Sequence, residues 1–184
     1  MYYEMTIAGC KRQLPLCPIS DDLMIGAYVI LGDPEMTVAA ARELNKLAPE
    51  HDIMISAESK GIPLIHEMAR QAGEAKYVLA RKAVKLYMRD VFSVEVNSIT
   101  TAKKQTLCID SEDVKLLRGK RVLIVDDVIS TGESLKAIEA LVNAAGGNIV
   151  GRMAILAEGD AGKKFNITYL EKLPLFDKNG NVLP

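Results

Sequence analysis

Cysteine, histidine and long apolar runs are all scarce in this 184-residue chain, and each scarcity removes a class of function. The three cysteines, Cys10, Cys17 and Cys108, are too few and too scattered for a zinc site, and their odd number argues against a disulfide framework. They read as reduced, structural thiols. The two histidines, His51 and His66, are unpaired with plausible ligands and read as ordinary surface or helix residues. No apolar run approaches the roughly 20 residues that a spanning helix needs, so a membrane is not an expected partner. The opening MYYEMTIAGC lacks the basic start and apolar core of a signal peptide, and a cytoplasmic address is the expectation. No block of Lys and Arg stands out and the net charge is −1, which gives nucleic acid little to hold and restricts any bound anion to a small one.

What is present is a soluble globular composition, 49% hydrophobic and 26% charged, in a length that allows one well-buried domain. Two short strands are predicted over 2–8 and 13–19, turning at Gly9, with Pro15 and Pro18 demoting the second to an edge. Asp33-Pro34-Glu35 then supplies a helix start, followed by Met36, Ala40, Leu44 and Leu47 at helical spacing. A βαβ unit follows: strand 53–57, loop 58–61, helix 62–72 closed by Gly73, strand 77–81. Phe92, Val94 and Val96 alternate with polar residues as a half-exposed strand does, and 106–109 reads as its hairpin partner. Alternation resumes with strand 121–125, loop 126–132, helix 133–145 and strand 149–157. The tail at 167–176 has strand character and is expected to join the N-terminal hairpin. The predicted architecture is α/β: a doubly wound, mostly parallel sheet over about 30–160, with a small hood made of 1–20 and 163–184 and a mobile loop over about 86–105.

The segment VLIVDDVISTGES, residues 122–134, carries the most chemistry. Buried β residues deliver Asp126 and Asp127 to the carboxyl end of a strand, where open α/β sheets place ligands. Beyond them, Ile129, Ser130, Thr131, Gly132, Glu133 and Ser134 turn directly into a helix, so backbone N–H groups and the positive dipole end converge as a phosphate requires. Ionised carboxylates beside a phosphate cradle need another partner, and vicinal ribose hydroxyls supply the donors they accept from. The missing Gly-Lys-Ser/Thr ending excludes a Walker loop, and the missing glycines exclude a dinucleotide fingerprint. A phospho-acceptor receiver domain is set aside because its acid pair would come too late in the chain.

This segment is similar to the phosphoribosyl pyrophosphate-binding signature of type I phosphoribosyltransferases, in particular their adenine and xanthine branch. The resemblance implies that Asp126 and Asp127 hold the ribose hydroxyls, that residues 129–134 hold the 5-phosphate, and that Asp127 stabilises the ribose cation. Glu133 departs from the small residue often found there, so its charge is expected to point outward. A second segment, Ala57-Glu58-Ser59-Lys60-Gly61, resembles the family's pyrophosphate loop, with Lys60 as its basic and catalytic residue and a cis peptide plausible at Glu58-Ser59. A third, Arg81-Lys82-Ala83-Val84-Lys85, resembles a set of anion contacts, with Lys82 and Lys85 near pyrophosphate, in this site or a neighbouring subunit's.

By the same resemblance the activity is transfer of a 5-phosphoribosyl group from phosphoribosyl pyrophosphate to a purine base in salvage. Magnesium is held mainly through substrate and water, and the enzyme is a homodimer. Thr101 stands where adenine enzymes carry a loop glutamate, and Ser98-Ile99-Thr100 looks more like the xanthine branch, so the base stays open. Topology points to 22–25 and 156–158 as base contacts. The alternative from another class is a non-catalytic regulator that senses phosphoribosyl pyrophosphate. Such proteins usually carry a DNA-binding module or a basic face, and neither is visible here.

Overall fold

The computed structural model describes residues 1–97 and 104–183. Strands β1 (Tyr2–Ile7) and β2 (Cys10–Pro18) form an antiparallel hairpin whose turn, Ala8-Gly9, has both residues at positive φ. Strand β3 (Leu23–Gly26) pairs with the far end of β2. Helix α1 (Pro34–Leu47) starts as its sequence requires: Asp33 caps it by accepting from the Met36 N–H at 3.0 Å, and Pro34 fills the first turn. Strand β4 (Ile53–Ala57), helix α2 (Gly61–Ala72) and strand β5 (Val78–Ala80) make the first βαβ unit, α2 ending on Gly73 in the left-handed region. Strands β6 (Phe92–Asn97) and β7 (Lys104–Ile109) form the second hairpin, and helix α3 (Ser111–Leu117) follows. Strand β8 (Arg121–Ile129), helix α4 (Glu133–Ala144) and strand β9 (Asn148–Glu158) make the second βαβ unit. The short helix α5 (Ala161–Lys164) and strands β10 (Thr168–Leu173) and β11 (Leu175–Asp177) complete the chain.

The five parallel strands lie in the order β10-β9-β8-β4-β5. From β4 the chain moves through α2 to β5 at one edge; from β8 it moves through α4 to β9 and onward in the opposite direction. The direction of winding reverses between β4 and β8, and the crevice at their carboxyl ends is the topological switch point where open α/β sheets bind ligands. Helices cover both faces, so the central strands are apolar on both sides, and β4 is buried throughout. Met36, Ala40 and Leu44 of α1 and Leu64, Ile65 and Met68 of α2 pack on Met54, Leu123 and Val125 on one face. Leu135, Ile138, Leu141 and Val142 of α4 pack on Ile55, Val122 and Ile124 on the other, together with Leu107 and Ile109 of β7. Each fully buried Leu, Ile or Val contributes roughly 1.5–3 kcal/mol, so these two stripes fix the positions of α2 and α4 and of the strand ends between them.

The hood is a four-stranded sheet in the order β1-β2-β3-β11. Its attachment to the core includes a guanidinium fork: Arg12 Nε and Nη2 donate to the two Asp33 carboxylate oxygens at 2.7 and 3.0 Å, and Nη2 also reaches Glu35 at 2.7 Å. That fork holds the Asp33 carboxyl below its ordinary pKa, although burial opposes it. The same aspartate therefore caps α1 and ties the hood to it.

Three expectations are corrected. Strand β2 is interior to the hood sheet, not an edge. Its prolines are tolerated because β1 pairs with it through Pro15 and β3 pairs with it only from Leu16 to Pro18, so each proline stands at the end of a ladder. The tail does not go to the hood as one strand. Pro174 divides it, and β10 joins the core sheet parallel to β9 while β11 alone pairs with β3. Finally, β8 runs on through Asp126 and Asp127 to Ile129, so the two acids belong to the strand and not to the loop after it. The predicted loop over 86–105 includes residues 98–103, which lie outside the described residues, and Thr101 with them.

Candidate functional site

Alternation along β8 sends Ile124 to the α4 cluster and Val125 to the cluster of α1 and α2. Continued by two residues, it sends Asp126 into a hollow in front of α4 and Asp127 toward the start of α2. The hollow is lined by Asp126, Val128, Ile129, Ser130, Thr131, Gly132, Glu133, Ser134 and Leu135. Ile129 and Leu135 are themselves buried core residues, so they contribute backbone and walls, and the hydroxyls come from Ser130, Thr131 and Ser134. Helix α4 has no side-chain cap on its first turn. Its opening residues line the hollow, where the Thr131 and Glu133 N–H groups donate to the hydroxyls of Ser130 and Thr131 at 2.6 and 3.5 Å. A negative charge placed there gains from the positive end of the helix dipole.

Two glycines keep this region open for different reasons. Gly132 stands at φ +78°, and a Cβ there would meet the Phe165 ring at 2.2 Å, so the loop is clamped against an aromatic wall that sequence patterning did not reveal. A Cβ at Gly61 would strike Ser56 Oγ at 2.2 Å and come within 3.2 Å of Asp126 Oδ1. Gly61 thus lets the start of α2 lie against the β8 carboxylate. The close approach joins the two loops across the switch point.

Lys60 completes the junction. Its ammonium lies 3.2 Å from Asp127 Oδ2, in a pair whose lysine is 45% exposed and whose aspartate is 5% exposed. The contact is one of distance and charge: no directed hydrogen bond reaches Oδ2, which is buried. A second buried oxygen without a partner, the Tyr28 hydroxyl, belongs to the same side of the sheet, and burial followed by the Asp127 charge raises its pKa. Asp126 accepts the Asp127 N–H at 2.9 Å. Burial, and then the neighbouring Asp127, pushes the Asp126 carboxyl well above the ordinary carboxylate range. Two adjacent carboxylates in a half-closed crevice, with one cation near them, form a site that favours hydroxyl donors and added positive charge.

On the β4 side, Glu58 gathers the third segment. The Glu58-Ser59 peptide is cis. Glu58 Oε1 accepts the Lys82 N–H at 2.7 Å, Arg81 Nη1 lies 3.4 Å from Oε2, and Lys85 Nζ lies 3.7 Å from Oε1. Burial acts to raise the Glu58 carboxyl, but the Lys82 amide and the charges of Lys85 and Arg81 outweigh it and hold the group below its ordinary value. Lys82 enters through its backbone, its side chain being exposed. On the other side, Glu158 ends β9 half-buried. Its carboxyl is raised by burial against the pull of Ser130 and Lys60.

The structure therefore brings together two groups of sequence-predicted residues, the β8 loop with Asp126 and the β4 loop with Arg81 and Lys85, and links them through Lys60 and Asp127. Patterning missed Ser56, Phe165 and Tyr28, because each acts through a tertiary contact. No group of three His, Cys, Asp or Glu side chains able to cage a metal is found among the described residues. The three cysteines are free.

Comparison with known proteins places the chain in a family. A family described as "Phosphoribosyl transferase domain" matches residues 35–176, which contain the segments 57–61, 81–85 and 122–134. An adenine phosphoribosyltransferase of Bifidobacterium longum is 32% identical over 152 residues, covering 79% of this chain and 74% of that protein. A hypoxanthine/guanine phosphoribosyltransferase of Methanococcus voltae is 29% identical over 150 residues, covering 80% of this chain and 72% of its own. Among solved structures, an adenine phosphoribosyltransferase of Thermoanaerobacter pseudethanolicus superposes with a TM-score of 0.72 at 24% identity, over 87% of this chain and 95% of that one, which establishes a shared fold. With the fold shared and the family model matched over most of its length, the chain belongs to the phosphoribosyl transferase domain family.

Proposed function

We propose that this enzyme transfers the 5-phosphoribosyl group of phosphoribosyl pyrophosphate to a purine base and releases pyrophosphate, a reaction of purine salvage. The observation that carries the reading is the Lys60 to Asp127 contact of 3.2 Å across the switch point, which joins an anion-receptive loop on β4 to another on β8. A donor with a phosphate at one end and a diphosphate at the other has the charge pattern that these two strand ends complement.

In this reading the 5-phosphate lies in the hollow before α4, against the uncapped amides and the hydroxyls of Ser130, Thr131 and Ser134. Asp126 and Asp127 accept from the ribose hydroxyls. Breaking the bond between C1 and the diphosphate oxygen leaves positive charge on the ribose ring and puts the electron pair on the leaving group. Asp127, buried beside Lys60, stabilises the ring cation. Lys60, Arg81 and Lys85 neutralise the leaving group, and Ser59 and Gly61 bring loop backbone close to it. Removing one such preorganised group typically costs 10²–10³ in rate, about 3–4 kcal/mol. Magnesium supplies further charge neutralisation when it arrives with the substrate. The donor set fits that mode of delivery: the carboxylates of Asp126 and Asp127 at the end of β8 are oxygen donors that would add to those of substrate and water.

The acceptor enters from the β9 side, because the β4 side is taken by the leaving group. That places 22–25 and 156–158 around the base. A homodimer is supported by Val84 and Tyr87, 61% and 66% exposed beside Lys85, which leave an apolar surface uncovered at the edge of the site. No helix among the described residues is long and apolar enough to cross a membrane, and free cysteines fit a cytoplasmic address.

The test is direct. With magnesium, phosphoribosyl pyrophosphate and a panel of purines and pyrimidines, pyrophosphate release is expected with a purine. Tight binding of phosphoribosyl pyrophosphate with no turnover on any base would replace the enzyme by a sensor of that metabolite.

A further inference from the structure

Three cations within five residues, Arg81, Lys82 and Lys85, repel one another; Arg81 bridges Cys108 of β7 through two backbone hydrogen bonds of 2.8 Å, and beyond it no helix or strand holds the chain before β6. What ties this segment to the end of β4 is a single carboxylate. Glu58 is anchored by its own N–H, which donates to Ala80 O at 3.0 Å and prolongs the pairing of β4 with β5. Its side chain, 18% exposed, then makes contacts of two kinds. The bond from the Lys82 N–H at 2.7 Å is short and directed, and it fixes the backbone. The contacts to Arg81 at 3.4 Å and Lys85 at 3.7 Å are longer than a good charge-assisted hydrogen bond. They neutralise the two cations without binding either one strongly.

We propose that Glu58 is a positioning residue which holds Arg81 and Lys85 in readiness for the diphosphate and yields them when it binds. This inference rests on the reading of the site given above. A carboxylate is a poor direct ligand for pyrophosphate, since both are anions. Its use lies in the empty site, where the bond from the Lys82 amide keeps the segment at the mouth of the crevice and the charge occupies the two cations until the diphosphate takes them. On binding, the two cations change partner while the Lys82 amide stays where it is. The Glu58 charge then opposes the product electrostatically and favours its departure.

The two functions of the side chain separate by substitution. Glu58→Gln keeps an acceptor oxygen for the Lys82 amide and removes the charge; Glu58→Ala removes both. Titration calorimetry with magnesium pyrophosphate is expected to show binding about threefold tighter for Glu58→Gln, because a repulsive charge near an exposed anion site is gone. Glu58→Ala is expected to bind about tenfold more weakly, because the Lys82 amide loses the acceptor that Gln retains and the cation segment is no longer anchored. A residue that merely supports the fold weakens binding in both variants, and that result, or no change in either, overturns the proposal. If Glu58→Ala does not fold, judged by circular dichroism, the Glu58→Gln measurement decides alone: tighter binding supports the proposal and unchanged or weaker binding overturns it. Wild-type protein that binds no pyrophosphate at all removes the site's reading itself, which is a different failure.

Discussion

The two loops that face each other across the switch point are built in opposite ways. After β8, the working groups come from one continuous segment: the acids end the strand, the hydroxyls and Gly132 make the turn, and α4 begins without a side-chain cap. After β4, the groups come from separate parts of the chain. Glu58 meets Arg81 and Lys85 more than twenty residues away, and Lys60 reaches across to Asp127. A locally built cradle is fixed by backbone geometry, whereas an assembled one is fixed by pairs of side chains. The first is expected to tolerate loss of a distant partner; the second is not.

The largest effect is expected at the point where the two halves meet. Asp127→Asn keeps the shape of the side chain and removes the charge facing Lys60. Turnover should fall by about 10²–10³, as for other preorganised charges in closed sites, while stability changes by no more than about 1 kcal/mol. Steady-state kinetics together with urea unfolding check this, and equal damage to folding would count against a functional role. Lys60→Ala comes next. It should weaken the pyrophosphate-dependent steps by about tenfold to a hundredfold, with little effect on folding because the lysine is 45% exposed.

The glycines sharpen the contrast further. Gly61→Ala forces a Cβ onto Ser56 Oγ at 2.2 Å, and overpacking of this kind costs about 1–3 kcal/mol. Because the severe clash is with one side-chain atom, while Asp126 Oδ1 at 3.2 Å needs to give only a few tenths of an ångström, the double variant with Ser56→Ala should recover most of that stability in urea unfolding. Gly132→Ala has no such simple rescue, since its φ of +78° keeps the strain even where the ring of Phe165 can shift. Failure of the Ser56→Ala rescue would show that the β4 loop is as locally determined as the β8 loop.

The smallest effect concerns pH. Folded Asp126 keeps its proton above the ordinary value of 3.8, because burial and then Asp127 disfavour its charge. Between that value and the raised one, the folded state binds more protons than the unfolded chain, so stability declines as pH rises through this window. Urea midpoints measured across it should fall with pH in the wild type, and the slope should flatten in Asp126→Asn.

The same contrast explains how far the sequence could be read. The β8 loop was legible because its chemistry is written in consecutive residues: apolar strand, two acids, hydroxyls, glycine, helix. The two βαβ units were legible for a related reason, since buried strands and helix faces each carry their own period. The tail was misplaced because Thr168–Leu173 and Leu175–Asp177 differ less in composition than in partner, and only the break at Pro174 separates them. The edge position expected of 13–19 does not hold, because Pro15 and Pro18 forbid continuous pairing on one side but permit two ladders on opposite sides of Cys10–Pro18. Phe165 behind Gly132 and Ser56 behind Gly61 have no local signature, being defined by the atoms they face. Glu58 was read as part of an anion loop, yet its side chain faces cations; spacing alone does not show which way a carboxylate turns.

The central claim is that one donor spans both strand ends, and a structure of the protein with magnesium and phosphoribosyl pyrophosphate tests it most directly. The account places the 5-phosphate in the hollow before Glu133–Ala144 and the diphosphate beside Lys60, Arg81 and Lys85, with the ribose hydroxyls on Asp126 and Asp127. A donor bound wholly on one side of the switch point, leaving the Lys60 to Asp127 contact unchanged, would contradict it.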